Sequence, residues 1–118
     1  MNVRLESIGL TTVVVLEGRL DFGAAAGFQA RLGQVLAGAE TKPASVIIDC
    51  AGLDYVSSAG LRVFLLAARA SQRAGVAFAI CALTPAVREV FDVSGFSRVI
   101  AVYADRAAAL AQTPPRPA

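Results

Sequence analysis

Leu53-Asp54-Tyr55-Val56-Ser57-Ser58-Ala59-Gly60-Leu61-Arg62-Val63-Phe64-Leu65-Leu66 is the stretch that decides the fold. Ahead of it, Ser45-Val46-Ile47-Ile48-Asp49 is a short β-branched run that predicts a buried strand. Behind the serines, Leu61, Phe64, Leu65 and Ala68 recur at the i, i+3, i+4, i+7 spacing of one helix face. Ser57 or Ser58 therefore stands at or beside a helix N-cap, where a hydroxyl accepts from a free backbone N–H. The same position favours anions, because unpaired N–H groups and the helix dipole both attract negative charge.

Working outward toward the N-terminus, Val3 to Ile8 and Thr12 to Glu17 predict two strands joined through Gly9-Leu10 as an antiparallel hairpin. Gly18 to Gly23 is expected to be a loop, and Ala24 to Ala37 a helix with Phe28, Leu32, Val35 and Leu36 on one face. Gly38 stops that helix, and Glu40 to Ala44 is a polar loop containing Pro43. Toward the C-terminus, Val76 to Cys81 predicts a strand. Thr84-Pro85 opens a helix carrying Val87, Val90 and Phe91. Val99 to Tyr103 predicts the last strand, and Asp105 caps a short alanine-rich helix to about Ala111.

The pattern is ββαβαβαβα: an α/β domain with a mixed, mainly parallel five-stranded sheet and right-handed crossovers. The expected domain spans residues 1–112, with 113–118 a disordered proline-rich tail. In such sheets functional loops gather beyond the carboxyl ends of the strands. Those loops are Gly18–Gly23, Ala51–Ser58 and Ala82–Thr84, so Asp21 and Ser58 share one edge although far apart in sequence.

A chain of 118 residues, 56% hydrophobic and 17% charged, is one folded domain rather than a disordered segment. Its longest strong apolar run, Val63 to Ala68, is fenced by Arg62 and Arg69 and is too short to cross a bilayer. The first residues show no basic segment followed by an apolar one, so no secretory signal is expected. The net charge is +2 and the basic residues are scattered, which excludes a nucleic-acid footprint. Cys50 and Cys81 each end an apolar run and read as reduced core residues of a cytosolic protein.

Catalysis is disfavoured by what is missing. The chain has no His, so Ser58 has no imidazole base, and Lys42 falls on the opposite edge of the sheet. Two cysteines without His make no zinc site, and no cofactor is expected. Asp21-Phe22-Gly23 spells a kinase tripeptide but lacks the loops that give it meaning. A stripe remains. Arg62, Leu66, Arg69 and Arg73 follow one another at helical spacing off the core face. They are either a solvated face with one stray Leu, or a docking surface with an apolar centre and a charged rim.

Tyr55-Val56-Ser57-Ser58-Ala59-Gly60-Leu61 resembles the signature of the STAS domain of bacterial anti-sigma factor antagonists: an aromatic, an apolar residue, then Asp-Ser-Ser/Thr-Gly-Leu-Gly. Glu17-Gly18-Arg19-Leu20-Asp21 resembles the family's Gly-x-Leu/Ile-Asp loop. Leu83 to Phe96 resembles its third-helix segment. The resemblance implies a β-α superhelical fold and a regulatory, non-enzymatic, cytoplasmic protein. The implied partner is an anti-sigma factor that is also a serine kinase, with a phosphatase reversing it, and neither nucleic acid nor membrane is touched. The implied acceptor is Ser58, with Ser57 the second choice. Here Ser57 stands where the motif has Asp, Ala59 where it has a second Ser/Thr, and Arg62 where it has its last Gly. Asp21 matches the loop acid. The implied partner surface combines Asp21, Phe22, Ser57, Ser58, Arg62 and Leu66. The rival reading is a STAS scaffold that is not phosphorylated and serves a transport or signalling complex.

Overall fold

The structure, a computed structural model, describes residues 1–39 and 44–115. Most of the expected polar loop, Lys42 included, and the last three residues of the expected tail lie outside them. The order is β1 (Asn2–Ile8), β2 (Thr11–Leu20), α1 (Phe22–Ala39), β3 (Ser45–Val56), α2 (Ser58–Ala74), β4 (Ala77–Cys81), α3 (Pro85–Val93), a 3-10 turn (Phe96–Arg98), β5 (Val102–Tyr103) and α4 (Arg106–Gln112). The strands form one sheet in the order β1-β2-β3-β4-β5. Among the described strands only β1 runs antiparallel to its neighbour. The α/β class and the ββαβαβαβα order are as the sequence predicts.

Two expected loops are strand for most of their length, and Phe22, Gly23 and Ser58 at their far ends already belong to helices. β2 continues through Gly18 to Leu20, and β3 continues through Ala51 to Val56. Register shifts between Val15 and Glu17 and between Gly18 and Arg19 let the two strands stay paired past residues that read as turn formers. Gly18, with φ of 102°, takes a conformation few other residues adopt. In the other direction, the last strand is shorter than expected. Gly95, at φ 80°, leads α3 into the 3-10 turn, and only Val102 and Tyr103 pair with β4.

The sheet separates two cores. On the front face α1, α2 and α3 bury Phe28, Leu32, Leu61, Phe64, Val87 and Phe91 against Val14, Leu16, Val46, Ile48, Leu53 and Ile80. Phe28, Phe64, Phe91 and Phe96 make a run of edge-to-face contacts with centroids 5.4, 5.4 and 6.3 Å apart. α2 is rotated slightly from the face expected of it. Val63, Ala67 and Ser71 are buried while Leu65 and Ala68 are half-buried, because α2 packs on α1 as well as on the sheet. Val90 of α3, expected in the core, is 37% exposed.

On the back face α4 places Ala109 among Val13, Val15, Ile47 and Cys81. Cys50 belongs to the front core and Cys81 to the back one, so the two free thiols point to opposite sides of the sheet and cannot pair. Burial, with Asp49 nearby, pushes the Cys81 thiol up to about 12, and burial, with Cys81 and Asp49 nearby, raises the Cys50 thiol well above its ordinary value, so neither forms a reactive thiolate at neutral pH. Thr113, expected to begin the tail, is buried.

Candidate functional site at the paired helix starts

The site grows from the ends of two neighbouring parallel strands. Leu20 of β2 and Val56 of β3 are partners in register. One residue beyond each stands a helix cap. The Ala24 N–H donates to Asp21 Oδ1 (2.9 Å) at the start of α1, and the Gly60 N–H donates to Ser57 Oγ (3.1 Å) at the start of α2. The Ser57 N–H donates to the Leu20 carbonyl (2.9 Å), which ties the two caps together. Two helix N-termini therefore open side by side on one edge of the sheet.

Gly60 sets how closely they approach. A Cβ there would stand 2.6 Å from Leu20 Cγ and 3.0 Å from the Leu20 carbonyl oxygen. A side chain at 60 would push α2 off the end of β2, so this glycine is needed for contact and not for a turn.

The two serines, equivalent in the sequence, take different positions. Ser57 is the N-cap, half-buried, with its hydroxyl engaged. Ser58 is the first residue of α2, exposed, and its hydroxyl has no hydrogen bond among the described residues. Asp21, which caps α1, and Phe22, its first residue, follow Leu20 at the neighbouring helix start, and Phe22 is 82% exposed, an unusual state for a phenylalanine. Arg62 stands one helical turn beyond Ser58 and is exposed. Five of the six expected partner residues thus share the edge and its continuation along α2.

Leu66 differs from expectation. It is half-buried, in the wall of a groove of about 320 Å³ between α1 and α2 that also holds Leu32, Leu36, Val63 and Arg73. The α1–α2 packing that buries Val63 draws it inward. The stripe therefore has exposed arginines beside an apolar groove, and not a protruding leucine at its centre.

Three further features were not visible in the sequence. Arg19 lies over the Tyr55 ring at 4.2 Å, because the register pairs these two residues at the edge. Thr84 stands at the cap position of α3, but its hydroxyl donates to the Leu53 carbonyl (3.2 Å) and anchors α3 to the β3 extension. Ala82, at the end of β4, holds φ of 59°, a left-handed conformation uncommon for a residue with a side chain. Among the described residues no group of three or more His, Cys, Asp or Glu could hold a metal ion, and no helix is long and apolar enough to cross a membrane.

Residues 2–109 match the STAS domain family. A Bordetella bronchiseptica protein described as an anti-sigma factor antagonist, BtrV, is 35% identical over 111 residues, which cover 94% of this chain and 93% of that one. The crystal structure of an anti-sigma factor antagonist from Mycobacterium paratuberculosis superposes with a TM-score of 0.85 at 21% identity, covering 95% of this chain and 92% of that one. The anti-sigma factor antagonist SpoIIAA in its unphosphorylated form superposes with a TM-score of 0.78 at 22% identity, covering 94% and 95%. With the matched residues running from β1 into α4, the chain belongs to the STAS domain family.

Proposed function

We propose that this chain is an anti-sigma factor antagonist. It binds a cytoplasmic anti-sigma factor that carries serine kinase activity, and it is switched off by phosphorylation of Ser58. It does no chemistry of its own. The observation that carries the reading is the exposed, uncommitted Ser58 hydroxyl beside the committed Ser57 hydroxyl. A kinase must take the acceptor into its own active site, and Ser58 can be approached without uncapping α2. The relatives support the partner: proteins similar along the whole chain are described as anti-sigma factor antagonists.

The switch is electrostatic. Phosphate on Ser58 adds roughly −1.5 to −2 charges at pH 7. On the free domain that charge sits at the start of α2, where the dipole favours it. In the complex the dianion loses water, with Asp21 on its own edge, and desolvating it costs several kcal/mol. The complex dissociates while the fold persists.

The test is phosphate transfer. The purified chain is incubated with ATP and the anti-sigma factor, and the product is mapped by mass spectrometry. Phosphate on Ser58, abolished in Ser58→Ala and retained in Ser57→Ala, is the expected result. A tight complex that never gains phosphate would favour the scaffold reading. Phosphate gained without the anti-sigma factor would overturn the absence of intrinsic activity.

A further inference from the structure

The outer side of β1 is an open sheet edge: among the described residues no strand pairs with it. Such an edge is a template for another strand unless its side chains prevent it. The backbone groups it offers follow from the register. The Ser45 N–H donates to the Leu10 carbonyl (3.3 Å), so even-numbered backbone groups at the start of β2 aim at β3 and odd-numbered ones at β1. Asn2 pairs with Glu17, Arg4 with Val15, Glu6 with Val13 and Ile8 with Thr11, so these β1 residues bond to β2. Val3, Leu5 and Ser7 direct their N–H and C=O groups outward.

We infer that β1 pairs with β1 of a second copy, antiparallel about a two-fold axis at Leu5, to give a sheet continuous across a dimer. In this register Leu5 exchanges backbone bonds with Leu5 of the second copy, and Val3 exchanges them with Ser7. The side-chain pairing singles it out. Arg4 falls opposite Glu6 of the second copy, and by symmetry Glu6 falls opposite its Arg4, in the close non-hydrogen-bonded positions where opposite charges attract. The neighbouring registers with the same outward groups put Arg4 against Arg4 or Glu6 against Glu6, and both overlap fewer residues. Edge charges that ordinarily keep strands apart are here self-complementary.

The side chains on the front face agree. Leu5 is 42% exposed and lines a groove with Val35, Gly38 and Ala39 of α1. At the axis two Leu5 side chains meet over Val35, Gly38 and Ala39, with Ser7, Thr12 and Gln34 at the groove's polar margin. On the back face Arg4 already bonds Glu6 (3.2 Å) and Glu17 (3.0 Å), so it is held in the plane where the second copy's Glu6 arrives. The pairing uses no residue of the Ser58 edge, so each subunit keeps that edge open. It does not depend on the proposed function. Strand pairing over so short an edge falls at the small end of specific interfaces, and association is expected to be concentration-dependent.

The experiment uses charge swaps and sedimentation of the full chain across a concentration series. The unmodified chain is expected to pass from monomer to dimer. Arg4→Glu sets a carboxylate against the second copy's carboxylate at position 6, and Glu6→Arg sets a guanidinium against its guanidinium at position 4. Each alone should weaken self-association by roughly tenfold. Mixed together, the two variants restore both opposite-charge pairs and should form a heterodimer. Amide exchange on the unmodified chain is a second readout, independent of any variant. The Leu5 and Ser7 amides should gain protection with concentration, while those of Arg4 and Glu6 are protected throughout. A chain that stays monomeric overturns the inference, as does a dimer indifferent to Arg4→Glu, a mixture that fails to associate, or Leu5 and Ser7 amides that never gain protection.

Discussion

The two faces of the sheet are held by different physics. The front face carries three helices and a run of aromatic rings from Phe28 to Phe96, all apolar contact. Among the described residues the back face carries only α4, with a small apolar patch and a ladder of charges. Arg106 bonds Asp49 Oδ2 through Nε and Nη2 (3.0 and 2.8 Å) and Glu6 through Nη1 (2.8 Å), and Arg4 continues from Glu6 to Glu17. Apolar burial scales with area and has no direction, so a whole helix face contributes to the front. The ladder depends on geometry and protonation, so the back face is the one that pH and salt can loosen.

The sharpest way to break this comparison is to remove the ring that joins the three helices. Phe64 is fully buried and meets Phe28 and Phe91 at 5.4 Å each. Phe64→Ala is expected to lose about 3–5 kcal/mol of unfolding free energy, and the loss should be indifferent to salt. Urea denaturation with and without added sodium chloride checks both statements.

The matching change on the back is Arg106→Met, which keeps much of the stem and removes the charge. Asp49 is 8% exposed and would be left buried without its partner. The expected loss is about 1–3 kcal/mol, smaller than that of the ring, and it should shrink as salt rises. A salt-independent loss would mean that α4 is held by Ala109 and its neighbours rather than by the ladder.

Protonation separates the faces further. Hydrogen bonds from Arg106 first and Arg4 second hold the Glu6 carboxyl below its ordinary value of 4.5. A carboxyl lowered in the folded state stabilises above the unfolded value and loses that contribution as pH falls through the folded one. Glu6→Gln should therefore destabilise at pH 7, and its difference from the unmodified chain should fade in acid below about 4.5. Phe64→Ala should show no such convergence. Thermal unfolding of the three proteins at neutral and acid pH is the measurement.

How much of this could be read from the sequence follows the same division. The front helices announce themselves through apolar spacing, as Leu61, Phe64 and Phe28 show, because burial against one face imposes a local period. The ladder leaves no local trace: Glu6 and Arg106 are far apart in the chain and meet only because β1 and α4 reach the same face. The strand extensions to Leu20 and Val56 were hidden for a similar reason, since a register shift is a property of the pair of strands. At the site, Asp21 and Ser58 could be placed on one edge from topology alone. Which serine was the cap could not, because both fit an N-cap by type, and Leu66 read as exposed because the α1–α2 groove belongs to neither helix alone.

The smallest expected effect concerns those adjacent serines, and it tests the site at the edge where the two faces end. Ser57→Ala removes the acceptor for the Gly60 N–H and leaves the first turn of α2 short of a cap. Loss of a serine cap costs typically about 1 kcal/mol. Ser58→Ala removes a hydroxyl that faces solvent at the first helical position, where alanine is a good helix former, so stability should move by no more than about 0.5 kcal/mol. Function should invert this order. Ser57→Ala is expected to bind the anti-sigma factor and accept phosphate, while Ser58→Ala binds but accepts none and stays permanently active. Calorimetric melting paired with phosphate mapping reads both quantities on the same samples. If Ser58→Ala melted lower than Ser57→Ala, the hydroxyl of Ser58 would hold the helix start together, and the division between a capping serine and an uncommitted one would fail.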